Sequence, residues 1–112
     1  MSETSAVVTP LIDALLSVGI YADRYNAGRV PTRNGWVHLH RAGTLDVGGE
    51  LHGGRAFYVE CKIAKGKLRE TQVEWAAAAK RRGCIVLQCH DPAGIPAVVA
   101  ELLRIQGEAL CG

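Results

Sequence analysis

No apolar run in this sequence is long enough to cross a bilayer, because every hydrophobic stretch is short and broken by charge, proline or glycine. The opening MSETSAVVTPLIDALL lacks the basic region that begins a secretory leader. A cytoplasmic protein, neither secreted nor membrane-bound, is expected. The cysteines lack CxxC spacing, and a chain of 112 residues with 48% hydrophobic residues builds a core without disulfide staples. Cys61, Cys84, Cys89 and Cys111 therefore read as reduced structural thiols. Cys84 and Cys89 fall five apart in one apolar run, which aims them at opposite faces of a strand and away from a shared zinc. GxSxG, Walker A and Rossmann fingerprints are also missing, which removes the usual nucleophile elbow and nucleotide cradles.

Charge of one sign is absent from a long central piece. The net charge of +2 is too small by itself to announce a polyanionic partner, yet its distribution is uneven. Residues 1–23 carry three acids and no base, residues 24–82 twelve bases and five acids, and residues 83–112 one base and three acids. RYNAGRVPTRNGWVHLHR holds Arg24, Arg29, Arg33 and Arg41 with no acid, and KIAKGKLR holds Lys62, Lys65, Lys67 and Arg69. Such a basic middle is the usual footprint of phosphate-backbone contact, with solvated surface charge as the plain alternative.

At 112 residues the chain suits one compact domain, 1–112. TPLIDALLSVG sets Leu11, Ile12, Leu15, Leu16 and Val18 near helical spacing and stops at Gly19; Pro10 allows a start near Thr9, or an earlier one near Glu3 with a bend. IYADRYN and GWVHLHR predict two strands separated by AGRVPTRN, a loop of turn formers. TLDVGGELHGGRAFYVECKI predicts a hairpin whose turn is assigned to Gly48, Gly49, Gly53 and Gly54 together. KGKL is a loop, RETQVEWAAAAKRR an alanine-rich helix ending at Gly83, and CIVLQCH a buried strand. Asp91 caps DPAGIPAVVAELLRI, whose Gly94 and Pro96 delay the helix to near Ile95. The order α-β-β-β-β-α-β-α, with a β-α-β crossover, predicts an α/β (α+β) fold with helices packed on a mixed central sheet.

Chemistry concentrates in the hairpin. Alternation in RAFYVECKI puts Phe57, Val59, Cys61 and Ile63 on one face and Tyr58, Glu60 and Lys62 on the other. Glu60 and Lys62 are then about 6.5–7 Å apart along the strand. If the apolar sides of the two arms pair, Asp46 joins them on one polar patch. Two carboxylates, with the Cys61 carbonyl between Glu60 and Lys62, suit Mg²⁺ or Mn²⁺, which would polarise a phosphate and acidify water while Lys62 stabilises the developing charge. A surface ion pair on a half-buried hairpin is the competing reading.

The ordered set Gly43-x-x-Asp46, Glu60-Cys61-Lys62 and KGKLRETQVEW, with Gln72 early in a helix, resembles the VRR-NUC branch of the PD-(D/E)XK nuclease superfamily over most of the chain. The resemblance implies a restriction-endonuclease-like core and a metal-dependent DNA endonuclease. It makes Asp46 and Glu60 metal ligands, the Cys61 carbonyl a backbone ligand, Lys62 the catalytic lysine and Gln72 a residue lining the site. Glu3 matches the acid of the family's first helix, whereas Arg69 stands where the family often has a Ser or Thr cap. Small stand-alone members look like Holliday-junction resolvases acting as homodimers, which implies branched or junction DNA as substrate.

Other constellations are weaker. His38 and His40 share a strand face but have no third zinc ligand at recognisable spacing. Trp75, one turn after Gln72, is expected to pack its helix on the sheet, and Tyr25 to line the pocket, touch DNA or serve structure. Three functions are carried forward: the endonuclease, using Arg24, Arg29, Arg33, Lys65, Lys67 and Arg69 on DNA; a non-catalytic nuclease-fold module that binds branched DNA; and a module recognising an acidic protein.

Overall fold

A computed structural model describes residues 5–25, 29–38, 45–61 and 70–111. The first helix, α1 (Ser5–Ser17), includes Pro10 in its interior, where the ring forfeits one backbone hydrogen bond. Because α1 starts before Pro10, its buried stripe is Val7, Val8, Leu11 and Leu15. Leu16 and Val18, expected on that stripe, are 51% and 42% exposed. The helix ends in a left-handed Gly19 (φ 81°), with Ile20 N–H donating to Leu15 C=O at 2.9 Å and Gly19 N–H to Leu16 C=O at 3.0 Å.

Among the described residues five strands follow rather than the expected four: β1 (Tyr21–Arg24), β2 (Arg29–Thr32), β3 (Gly35–His38), β4 (Val47–Glu50) and β5 (Ala56–Glu60). The additional strand, β2, lies in the segment predicted as a loop. It pairs antiparallel with β3, from Arg29 with His38 to Thr32 with Gly35, around a two-residue turn of Arg33 and Asn34. Pro31 concealed it, because proline reads as a breaker but is tolerated in a strand with an unpaired side. After α2 (Glu70–Arg81) come β6 (Ile85–Gln88), a single 3₁₀ turn at Pro92–Gly94 and α3 (Ile95–Cys111). Asp91 caps that turn, its Oδ1 accepting from Gly94 N–H at 3.0 Å.

The main sheet runs β1-β4-β5-β6, with β5 and β6 parallel and the other neighbours antiparallel. Its order makes β6 an edge strand. Ile85 is accordingly buried, but Val86 and Leu87 are only partly covered and Gln88 is exposed, unlike the fully buried strand expected from the apolar run. One sheet face, carrying Val47, Phe57, Val59 and Ile85, packs on α1 and on Val98 and Leu102 of α3. Full burial of each Leu or Phe there contributes about 1.5–3 kcal/mol.

The hairpin glycines divide into two jobs. Gly53 and Gly54 take φ of 102° and 91° in the turn, while Gly48 and Gly49 lie inside β4. A Cβ on Gly49 would sit 2.0 Å from the Tyr21 carbonyl and 2.6 Å from Phe57 Cζ, so β4 is glycine there to let β1 and the core close in. The expected four-glycine turn is thus a two-glycine turn following a two-glycine strand.

Candidate active site

Register decides what the polar face of the hairpin holds. Val47 pairs with Val59 and Arg24 with Val47. Continued one residue, the ladder sets Tyr25, Asp46 and Glu60 in one row, and Glu60 is itself level with Gln88 of β6. Two backbone bonds fix this end of the sheet: Tyr25 N–H donates to Asp46 C=O at 2.6 Å, and Cys89 N–H to Glu60 C=O at 2.9 Å. Asp46 also folds inward, its Oδ2 accepting from Cys61 N–H at 2.9 Å. That bond holds the peptide following Glu60.

Glu60 is 1% exposed although it lies on the face opposite the apolar core. The cover comes from α2. Gln72, 4% exposed, donates from Nε2 to Glu60 Oε2, so a helix residue twelve positions downstream holds the buried carboxylate. One turn on, Trp75 meets Tyr58 edge-to-face at 4.7 Å and 86°, and Tyr58 meets Tyr25 at 6.1 Å and 64°. Tyr25 lies over Gly48, where a Cβ would come within 3.0 Å of its ring. Burial raises the Tyr25 phenol above the ordinary range, with Tyr21, Tyr58, Glu50 and Asp23 adding to the rise. Those neighbours lie back along the sheet, away from Asp46.

Cys61 is fully buried on the core side. Burial pushes its thiol well above the usual range, and Asp46, Cys89 and Glu60 push the same way against a smaller opposing effect of Arg24. Cys61 is therefore placed to contribute its backbone, not a thiolate. Among the described residues no three His, Cys, Asp or Glu side chains gather as a metal cluster. The register sets two carboxylates, Asp46 and Glu60, level on adjacent strands, and their hard oxygens are the donor type of Mg²⁺ or Mn²⁺, which bind through one or two carboxylates and otherwise through water or substrate. A cleft of about 410 Å³ opens beyond the end of β6, lined by Gln88, Cys89, His90, Asp91, Val98 and Glu101 among others. It adjoins the row at Gln88 and does not include Asp46 or Glu60.

A solved structure described as a VRR_NUC domain matches the fold of this chain with a TM-score of 0.68 over 89% of this chain and 97% of that one, at 15% identity. The chain has the VRR_NUC fold. No family model and no curated protein matches the sequence. The mixed sheet flanked by helices is the architecture expected from the element order, and it fits the restriction-endonuclease-like core that the resemblance implied.

Within this VRR_NUC fold, Asp46, Glu60, the Cys61 backbone and Gln72 come together. Lys62, Lys65, Lys67, Arg69 and Glu3 lie outside the described residues. Arg24 donates from Nη2 to Thr9 Oγ1 of α1 at 3.1 Å. Arg29 belongs to β2 and Arg33 to the exposed β2–β3 turn. Gln88 and Tyr58 were not among the expected site residues. The parallel crossover from the Glu60 strand to CIVLQCH was the signal for Gln88, and alternation from Glu60 was the signal for Tyr58. No helix among the described residues is long and apolar enough to cross a membrane.

Proposed function

We propose that the protein is a VRR-NUC family endonuclease that hydrolyses DNA phosphodiester bonds with a divalent metal, selects branched or junction DNA and works as a cytoplasmic homodimer. The observation that carries this reading is the level placement of Asp46 and Glu60 on adjacent strands of a VRR_NUC fold, with Glu60 held by Gln72.

Asp46 and Glu60, with the Cys61 carbonyl, would hold Mg²⁺ or Mn²⁺. The bound ion supplies Lewis-acid stabilisation of phosphate charge and a more acidic water. The protein's own residues prepare that place. Cys61 N–H fixes the Asp46 carboxylate, Gln72 fixes the Glu60 carboxylate, and the antiparallel ladder holds both acids at one level. Lys62, two residues after Glu60 in the sequence, stabilises negative charge on the phosphate. Arg24, Arg29, Arg33, Lys65, Lys67 and Arg69 contact the DNA backbone. Two sites on a two-fold axis suit a substrate that needs paired cuts.

The test is cleavage of supercoiled plasmid and of four-way-junction DNA with Mg²⁺ or Mn²⁺, alongside light scattering for mass. Metal-dependent cutting abolished by Asp46→Asn and by Lys62→Ala supports the reading, and Gln72→Ala should cut more slowly than wild type but faster than Asp46→Asn. Folded protein that binds junctions with no metal and cuts nothing would instead be a DNA-binding module.

A further inference from the structure

The β2–β3 pair stands apart from the sheet that carries the site. Its two strands pair with each other and share no extensive contact with another described element. An isolated two-stranded hairpin is marginal in water, because neither face is covered by a layer of side chains. This one is joined to the body at a particular place. The chain leaves the sheet at Tyr25 and returns at Leu45 and Asp46, and Tyr25 N–H is bonded to Asp46 C=O at 2.6 Å. The ribbon is therefore rooted beside the first candidate metal ligand.

Its charge is one-sided. Asp23 and Asp46 bracket it, and no acid occurs from residue 24 to residue 45, which include Arg24, Arg29, Arg33 and Arg41. Its far end is a two-residue turn in which Arg33 and Asn34 are exposed, so the tip is narrow and carries a guanidinium and an amide. Register pairs Arg29 with His38, Val30 with Val37 and Pro31 with Trp36.

From these placements we propose that the β2–β3 ribbon grips the duplex beside the cleavage site by entering a groove of the DNA. B-DNA's major groove, about 12 Å wide, admits a two-stranded ribbon, and Arg and Asn are side chains that read base edges and phosphates there. The polyanion supplies counter-charge for the acid-free basic segment. This inference rests on the endonuclease reading for where the DNA lies, but its own claim is which element holds the duplex.

Binding is measured by fluorescence anisotropy with labelled duplex and four-way-junction DNA in EDTA, so that no cutting is needed, over about 50–200 mM salt. Arg29→Ala/Arg33→Ala should weaken binding at least about tenfold and flatten the log–log salt slope by about 2, the value for two lost phosphate contacts. The control Lys80→Ala/Arg81→Ala, at the end of α2, should stay close to wild type. Amides of residues 29–38 should gain hydrogen-exchange protection on adding DNA. An unchanged affinity and slope in the ribbon variant, wild type that binds no DNA, or a ribbon variant that alters oligomeric mass in place of DNA affinity would each overturn the proposal. Wild type that binds through the ribbon but never cuts sinks the endonuclease reading alone. Cutting with ribbon-independent binding sinks the ribbon alone.

Discussion

Among the described residues are two antiparallel hairpins of similar strand length and opposite circumstances. In β4–β5 both faces are covered, by α1 and α3 on one side and in part by α2 on the other, and even the ionisable Glu60 is 1% exposed. In β2–β3 the two strands pair with each other in a separate sheet, and the turn residues Arg33 and Asn34 are exposed. The same backbone pairing thus yields a packed platform in one place and, on the proposal above, a DNA-gripping arm in the other. What separates them is the layer packed on top. A metal site needs carboxylates held in place before substrate arrives, whereas a DNA grip can take its order from the DNA.

The largest separation is expected in catalysis. Asp46→Asn should lower the cleavage rate at saturating enzyme by about 10²–10³ or more, while Arg29→Ala/Arg33→Ala should act through apparent affinity and leave that rate nearly intact. If both variants lost rate equally, the division into platform and grip would fail. Hydrogen exchange in the free protein comes next. Amides of β5 should exchange at least about 100-fold more slowly than those of β2 and β3, since protection follows the packed units. Similar rates would mean that the ribbon is covered after all.

Glycine substitutions sharpen the contrast in stability. Gly49→Ala should cost about 1–3 kcal/mol or prevent folding, because the new methyl meets backbone and the Phe57 ring. Gly35→Ala meets nothing within 4 Å but keeps an unfavourable φ of 126°, so it should strain the ribbon and leave the urea midpoint of the body nearly unchanged. The smallest effect lies within the packed region. Burial raises the Cys61 and Cys89 thiols, so their thiolates form only at higher pH. At pH 8 native protein should react with a disulfide reagent first at the partly exposed Cys84, and Cys61 should react only on unfolding. Rapid reaction at Cys61 would show that this end of the sheet opens.

Much of the hairpin was legible because alternation is a local property. Phe57, Val59 and Cys61 are fully buried, as a period of two requires. The helix stops were equally local, since Gly19 and Gly83 each take the left-handed conformation that lets the last carbonyls be satisfied. Errors came where a local signal has two meanings. Glycine marks a turn or a close approach, and Gly48 and Gly49 proved to be the second. Proline marks a break or an open strand edge, and Pro31 proved compatible with β2. An apolar run marks a buried strand or an edge, and β6 is an edge.

The sequence by itself determined which residues could share a face, where the helices stop, and that an acid-free basic segment interrupts the sheet strands. Those are consequences of backbone geometry within a few residues and of composition. Only the tertiary structure decided that Glu60 is sealed under Gln72, that Gln88 stands level with it, and that Tyr25 binds the backbone of Asp46 at the root of the ribbon. Each of these joins residues at least twelve positions apart, where pairing and packing, rather than local preference, set the neighbours.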